Sequence, residues 1–192
     1  MVKVLNNGTG AGGSKTNLNG KLFEKKTENE SRLISNGFVR YNISGCRGKF
    51  DYYLEKIDGN KKIVYLTQGG LKSYFSQFFK KELFRCPDEA YLIYDGESYT
   101  LKILEKKNQN VAGSVDTKLL AGIGFIEEYQ ECLGSNFNIK YAFCISEFLQ
   151  KDYTSESLKY SILRKINEKH DITVLFGDDD NYYNTLDYWI SS

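Results

Sequence analysis

Residues 87–107 read Pro87-Asp88-Glu89-Ala90-Tyr91-Leu92-Ile93-Tyr94-Asp95-Gly96-Glu97-Ser98-Tyr99-Thr100-Leu101-Lys102-Ile103-Leu104-Glu105-Lys106-Lys107. Two β-prone runs, 90–94 and 99–105, flank the turn cluster Asp-Gly-Glu-Ser at 95–98. That pattern predicts a β-hairpin over 88–107. With 95–98 as the loop, Asp95 pairs with Ser98, and the same register carried down the strands sets Asp88 opposite Glu105. A closure with Asp95-Gly96 as the central pair slips the register by two residues. Strand side chains alternate, so the slip preserves parity and leaves the two acids on one face as diagonal neighbours. Lys107 shares the face of Glu105, and Lys106 projects from the other.

Carboxylates directly opposite across two strands have Cβ atoms roughly 4.5–5.5 Å apart, and their like charges repel. A divalent cation removes that conflict. Magnesium prefers oxygen ligands and commonly takes one or two carboxylates together with water and a phosphate oxygen. It polarises a phosphate and activates water. Lys107 is placed to orient the water or to stabilise charge growing on the phosphate. The chemistry this arrangement implies is phosphodiester hydrolysis, with Asp88 and Glu105 as metal ligands and Lys107 as the catalytic amine. A solvated hairpin carrying ordinary surface charges has the same letters, and spacing alone does not separate the two.

Outward from the hairpin, residues 18–35 read as a helix with Leu22, Phe23, Leu33 and Ile34 on one face. Strands are expected at 38–43, 50–57 and 62–66, with Asp58-Gly59-Asn60 turning one into the next. Gly69-Gly70 is expected to break the last of these before a helix over 71–83. Downstream, Ser114 caps a helix over 115–132. A strand over 138–148, a helix over 154–169, a strand over 172–176 ending at Gly177 and a short final helix over 181–190 complete the chain. A short strand at 2–5 is also expected. Helices and strands in this order make an α/β core with a mixed β-sheet flanked by helices.

The chain has 192 residues, 41% of them hydrophobic and 27% charged, enough for one folded domain. The net charge is only +1, so any nucleic-acid surface must come from local clusters of Lys and Arg. No apolar run approaches the ~18–20 residues that cross a bilayer, and the first residues lack the apolar stretch of a secretory signal. A cytoplasmic protein is the expectation. Cys46, Cys86, Cys132 and Cys144 form no CxxC pair and the single histidine is His170, which argues against a zinc site and for free, partly buried thiols.

Residue identity adds a resemblance. Pro87-Asp88, sixteen residues, then Glu105-Lys106-Lys107 resembles the signature of the PD-(D/E)xK nuclease superfamily, in which the Asp opens one strand and ExK lies on the next. Gln109 extends it to E-x-K-x-Q. The stretch 108–129 resembles the helix behind the motif in a group of small type II restriction endonucleases. Residues 10–27 resemble that group's N-terminal segment, and 67–95 its lead-in to the Asp. The likeness spans roughly 10–148; the last ~40 residues match nothing in that group.

The resemblance implies a single nuclease domain over 1–192, with a restriction-endonuclease-like catalytic core at about 18–148 and an accessory or specificity region at 150–192. It also implies a first-helix acid near the metals, Glu24 or, one turn later, Glu28. A magnesium-dependent type II endonuclease of this group cuts double-stranded DNA as a homodimer at a short palindrome, beside a DNA methyltransferase that protects the host. A repair nuclease or junction resolvase on the same fold is the alternative enzyme, and a non-catalytic DNA-binding module the alternative from another class.

Lys72, Lys80, Lys81 and Arg85, just ahead of Asp88, are candidates for phosphate contacts, and Gln109 for the DNA backbone or for support of Lys107. The same lysines would equally serve as the solvated side of an aromatic core helix. Gly8–Thr16 fails the phosphate-loop pattern because Ser14 separates Gly13 from Lys15. Asp178-Asp179-Asp180 lacks the Gly and distal Glu of a calcium loop and is expected to be a solvated turn. His170 is expected to serve structurally at the end of its helix.

Overall fold

The computed structural model describes residues 22–43, 52–108 and 115–192, with side chains in the last stretch from 117 onward. Expectations for the strand at 2–5, the Gly-rich segment 8–16, Cys46, Gln109 and the Ser114 cap lie outside the described residues.

The protein is α/β, with a seven-stranded mixed sheet in sequential order: β1 (Val39–Asn42), β2 (Tyr52–Asp58), β3 (Lys61–Thr67), β4 (Glu89–Tyr94), β5 (Tyr99–Lys107), β6 (Phe137–Ile145) and β7 (Ile172–Phe176). Strands β1 to β5 pair antiparallel, and β5, β6 and β7 run parallel. The helices are α1 (22–26), α2 (Glu30–Ser35), α3 (Gln68–Tyr74), α4 (Val115–Leu120), α5 (Gly122–Leu133), α6 (Glu147–Tyr153), α7 (Leu158–Lys169) and α8 (Tyr182–Ser191). No helix of the described residues is long and apolar enough to cross a membrane.

Alternation along the strands separates two apolar layers. Leu66, Ala90, Leu92, Leu101, Ile103, Tyr141 and Phe143 face α3, α5, α6 and α7. Leu54, Tyr65, Tyr91, Leu104, Cys144 and Leu175 face Phe23, Leu33 and α8. Helices thus cover both faces of β6, and its residues 141–145 are all buried, as a central parallel strand requires.

Several boundaries differ from the sequence reading, each for a local reason. The helix expected over 18–35 breaks at residues 27–29. There Thr27 and Asn29 turn fully inward, and the Thr27 carbonyl accepts from Lys106 Nζ at 2.8 Å. The strand β3 runs straight into α3 without a glycine break. The Thr67 hydroxyl accepts from Gly70 N, so both glycines sit in the first helical turn. That helix continues as a π-helical turn, Phe75–Phe79, and stops at Lys80, whose φ of 56° is left-handed.

The single helix expected over 115–132 is two, joined at Ala121. At the joint Gly122 lies so close to the sheet that a Cβ would sit 3.0 Å from Phe143 and 3.1 Å from Ile172. The strand expected to reach 148 ends at Ile145. Ser146 N donates to Lys107 O, and Gly177 N donates to Ile145 O, so β5, β6 and β7 terminate together. Asp178 is more than a solvated turn residue: it accepts from Glu147 N at 2.8 Å at the start of α6 and pairs with Lys26. Cys86, Cys132 and Cys144 are free thiols, exposed, half-buried and buried in that order. Burial pushes the Cys144 thiol up to about 12.

Candidate active site

The β4–β5 register decides where the hairpin acids fall. Tyr94 pairs with Tyr99, Leu92 with Leu101 and Glu89 with Leu104. The pairing ends there; the same register extended by one step would set Asp88 opposite Glu105, as in the first of the two registers expected from sequence. The 95–98 loop is held by the Asp95 carboxylate, which accepts from Glu97 N at 3.0 Å and Ser98 N at 2.9 Å. Those two amides lower its pKa.

Asp88 closes the end of the ladder. Its Oδ2 accepts from Lys106 N at 2.6 Å, so a side chain takes the place of a backbone rung. Glu105 and Lys107 follow Leu101 and Ile103 on the α5 side. Lys107 Nζ donates to Glu105 Oε1 at 2.5 Å, with the two side chains 20% and 22% exposed. Burial raises the pKa of Glu105 most; Lys107 opposes that shift and the charge of Asp88 adds to it. A cavity of about 190 Å³ lies beside Glu105, walled by Arg85, Cys86, Pro87, Phe125, Tyr129 and Tyr141.

The opposite face carries a constellation that sequence reasoning missed. Glu89 is 3% exposed and pairs with Lys106 Nζ at 2.6 Å. Its other oxygen accepts from Tyr91 OH at 2.8 Å, and that hydroxyl accepts from Asn29 Nδ2 at 2.6 Å. Burial raises the pKa of Glu89, against the pull of Lys106 and Tyr91. The alternation that puts Lys106 opposite in face to Lys107 was the available signal, since a lysine directed at a covered face requires an acid. This pair fixes Lys106 from both sides, and the Lys106 amide in turn fixes Asp88.

Glu24 and Glu28 line a second cavity, of about 330 Å³, on this face, together with Glu30, Asp88, Glu89 and Lys106. Glu105 is not among its walls, so Glu24 is brought near Asp88 but not to Glu105. Glu28 Oε1 accepts from Glu30 N at 2.7 Å and thereby caps α2. Glu30 pairs with Arg40 and accepts from Tyr52. Among the described residues no group of three or more His, Cys, Asp or Glu is arranged to hold a metal ion. The hairpin bonds Lys107 to Glu105, while the Asp88 carboxylate is held by the Lys106 amide and lines the cavity of the other face.

Of the basic candidates, Arg85 is engaged with Glu128, at 2.9 Å through Nε and 3.0 Å through Nη2, and lies over the ring of Phe125. Lys80 is exposed and donates to the Gln77 carbonyl, while Lys72 and Lys81 are half-buried. His170 follows α7 as its cap residue and is exposed. Taken together, a carboxylate of raised proton affinity, an amine bonded to it and a second acid at the ladder's end make a site for acid–base or cation-assisted chemistry. No protein-family model, curated protein or solved structure matches the chain.

Proposed function

We propose that this protein is a magnesium-dependent endonuclease that hydrolyses phosphodiester bonds of double-stranded DNA. What supports the reading is the β4–β5 register, whose next step beyond Glu89–Leu104 would bring Asp88 to Glu105, together with the bond from Lys107 to Glu105. The donor set suits magnesium. Glu105 is bonded to one amine, and after burial the charge of Asp88 also raises its proton affinity. Asp88 and Glu105 would hold the ion, which would supply Lewis-acid polarisation of a phosphate oxygen.

The protein's own groups do the rest. Lys107 brings a positive charge to the face where phosphate charge grows. Asp88 is oriented by the Lys106 amide before any substrate arrives, so little reorganisation is left for the reaction. Lys72, Lys80 and Lys81 supply phosphate contacts ahead of the site, while Arg85 must exchange Glu128 for a phosphate to join them.

The sequence resemblance extends the proposal to a type II restriction endonuclease of cytoplasmic location. It would be a homodimer on a short palindrome, paired with a protecting methyltransferase, with Glu24 as the further acid near Asp88. Digestion of genomic DNA in magnesium, followed by sequencing of the fragment ends, tests this. Ends sharing one short sequence support the restriction reading. Cuts confined to junctions or flaps move the protein to a repair or resolvase role, and binding without cutting leaves a DNA-binding module.

A further inference from the structure

A buried hydroxyl beside Glu105 has no hydrogen-bond partner among the described residues. Tyr129 is 3% exposed, and its phenolic oxygen meets no hydrogen-bonding group among the described residues. Buried polar groups in native proteins are overwhelmingly paired, so an unpaired one calls for an explanation. Chain position explains how Tyr129 reaches this place. Gly122 lets α5 press onto Phe143, and Tyr129 lies seven residues, two helical turns, further along the same face. There it walls the 190 Å³ cavity beside the Glu105 carboxylate, with Phe125 stacked on Tyr141 at 6.0 Å as the apolar backing. Burial and the charge of Glu105 both raise the pKa of Tyr129, so its hydroxyl keeps its proton and remains a donor.

Glu105 has a use for such a donor. Lys107 Nζ is bonded to Glu105 Oε1, yet the proposed chemistry requires that ammonium at the phosphate. When Lys107 turns away, Glu105 Oε1 loses the ammonium that it accepts from. We infer that Tyr129 is a positioning residue for Glu105: its O–H takes over the carboxylate when Lys107 turns to the substrate. The exchange breaks one hydrogen bond and forms another, with no net proton transfer. The inference rests on the nuclease reading above and deepens it. It accounts for a polar atom that the described residues leave unpaired.

Tyr129→Phe removes the oxygen and keeps the ring. Because no protein hydrogen bond is lost, the melting temperature of the metal-free variant stays unchanged or rises. Plasmid cleavage in magnesium loses about tenfold or more in kcat, the scale of one hydrogen bond to a charged group, with KM for DNA unchanged. Calorimetric titration of magnesium into the metal-free protein bound to a non-hydrolysable duplex gives a Kd raised in the variant, a readout independent of turnover. A lowered melting temperature means that the hydroxyl has a structural role, and overturns the inference. So does wild-type kcat in a variant whose parent cuts, which leaves the nuclease reading standing. If the wild-type protein does not cut at all, the nuclease reading fails and the role of Tyr129 falls with it.

Discussion

Glu89→Gln perturbs the buried pair that supports the hairpin end. Glu89 is 3% exposed and the Lys106 side chain 6%, so neither charge is solvated when its partner is lost. Breaking one side of a buried ion pair costs about 3–5 kcal/mol. Glutamine keeps the size and one acceptor oxygen for Lys106, and Thr27 O still accepts from the same amine, which favours the lower end, about 3 kcal/mol. Against the ~5–15 kcal/mol stability of an ordinary domain, that is a large share. At about 2–4 °C per kcal/mol for a chain of this length, the melting temperature falls by about 6–12 °C. Urea unfolding and calorimetry at neutral pH measure both quantities. The double variant Glu89→Leu with Lys106→Met replaces the pair by apolar volume and recovers most of the loss. A Glu89→Gln stability within about 0.5 kcal/mol of wild type refutes the reasoning, as does a double variant whose loss is the sum of the singles.

That pair also marks how far sequence reaches. The mixed α/β sheet and the β4–β5 register were legible, because a four-residue turn cluster between two β-prone runs admits few pairings and side-chain parity follows from either. The parallel strands were found as apolar runs. Helix boundaries were less legible, since they depend on tertiary contacts. Thr27 and Asn29 leave the helix to serve Lys106 and Tyr91, and Gly122 divides α4 from α5 to approach Phe143. Within the candidate site, the positions of Asp88, Glu105 and Lys107 follow from local alternation. The partners Glu89, Tyr91 and Asn29 come from three elements, and the orphan hydroxyl of Tyr129 is visible only once α5 is docked. Nothing local to Arg85 announces Glu128, forty-three residues away.

Burial lowers the Lys102 ammonium from 10.5 to about 8, so on raising pH the folded state sheds this proton before the unfolded chain does. Stability therefore rises between pH 8 and 10.5 by at most about 3 kcal/mol, and wild type gains on Lys102→Met across that window in urea unfolding; a constant difference means that the buried amine stays charged. Gly177→Ala sets a Cβ 2.6 Å from Phe23 and 2.7 Å from Cys144 Sγ and costs about 1–3 kcal/mol, whereas Gly124→Ala meets nothing within 4 Å and is neutral or stabilising; equal effects contradict the packing of α1 on β7. Arg85→Ala breaks an exposed pair and leaves stability nearly unchanged, but lowers the salt slope of DNA binding by about one phosphate contact; an unchanged slope removes Arg85 from the DNA surface.

The central claim is that Asp88 and Glu105 act together on a phosphodiester. Supercoiled plasmid incubated with magnesium, with and without a chelator, tests it most directly when wild type is run beside Asp88→Ala and Glu105→Ala. The account expects nicked and linear DNA from wild type in magnesium alone, and intact supercoiled DNA from either variant, while both variants still bind DNA. Intact plasmid with folded wild-type protein in magnesium, or wild-type cutting by either variant, contradicts it.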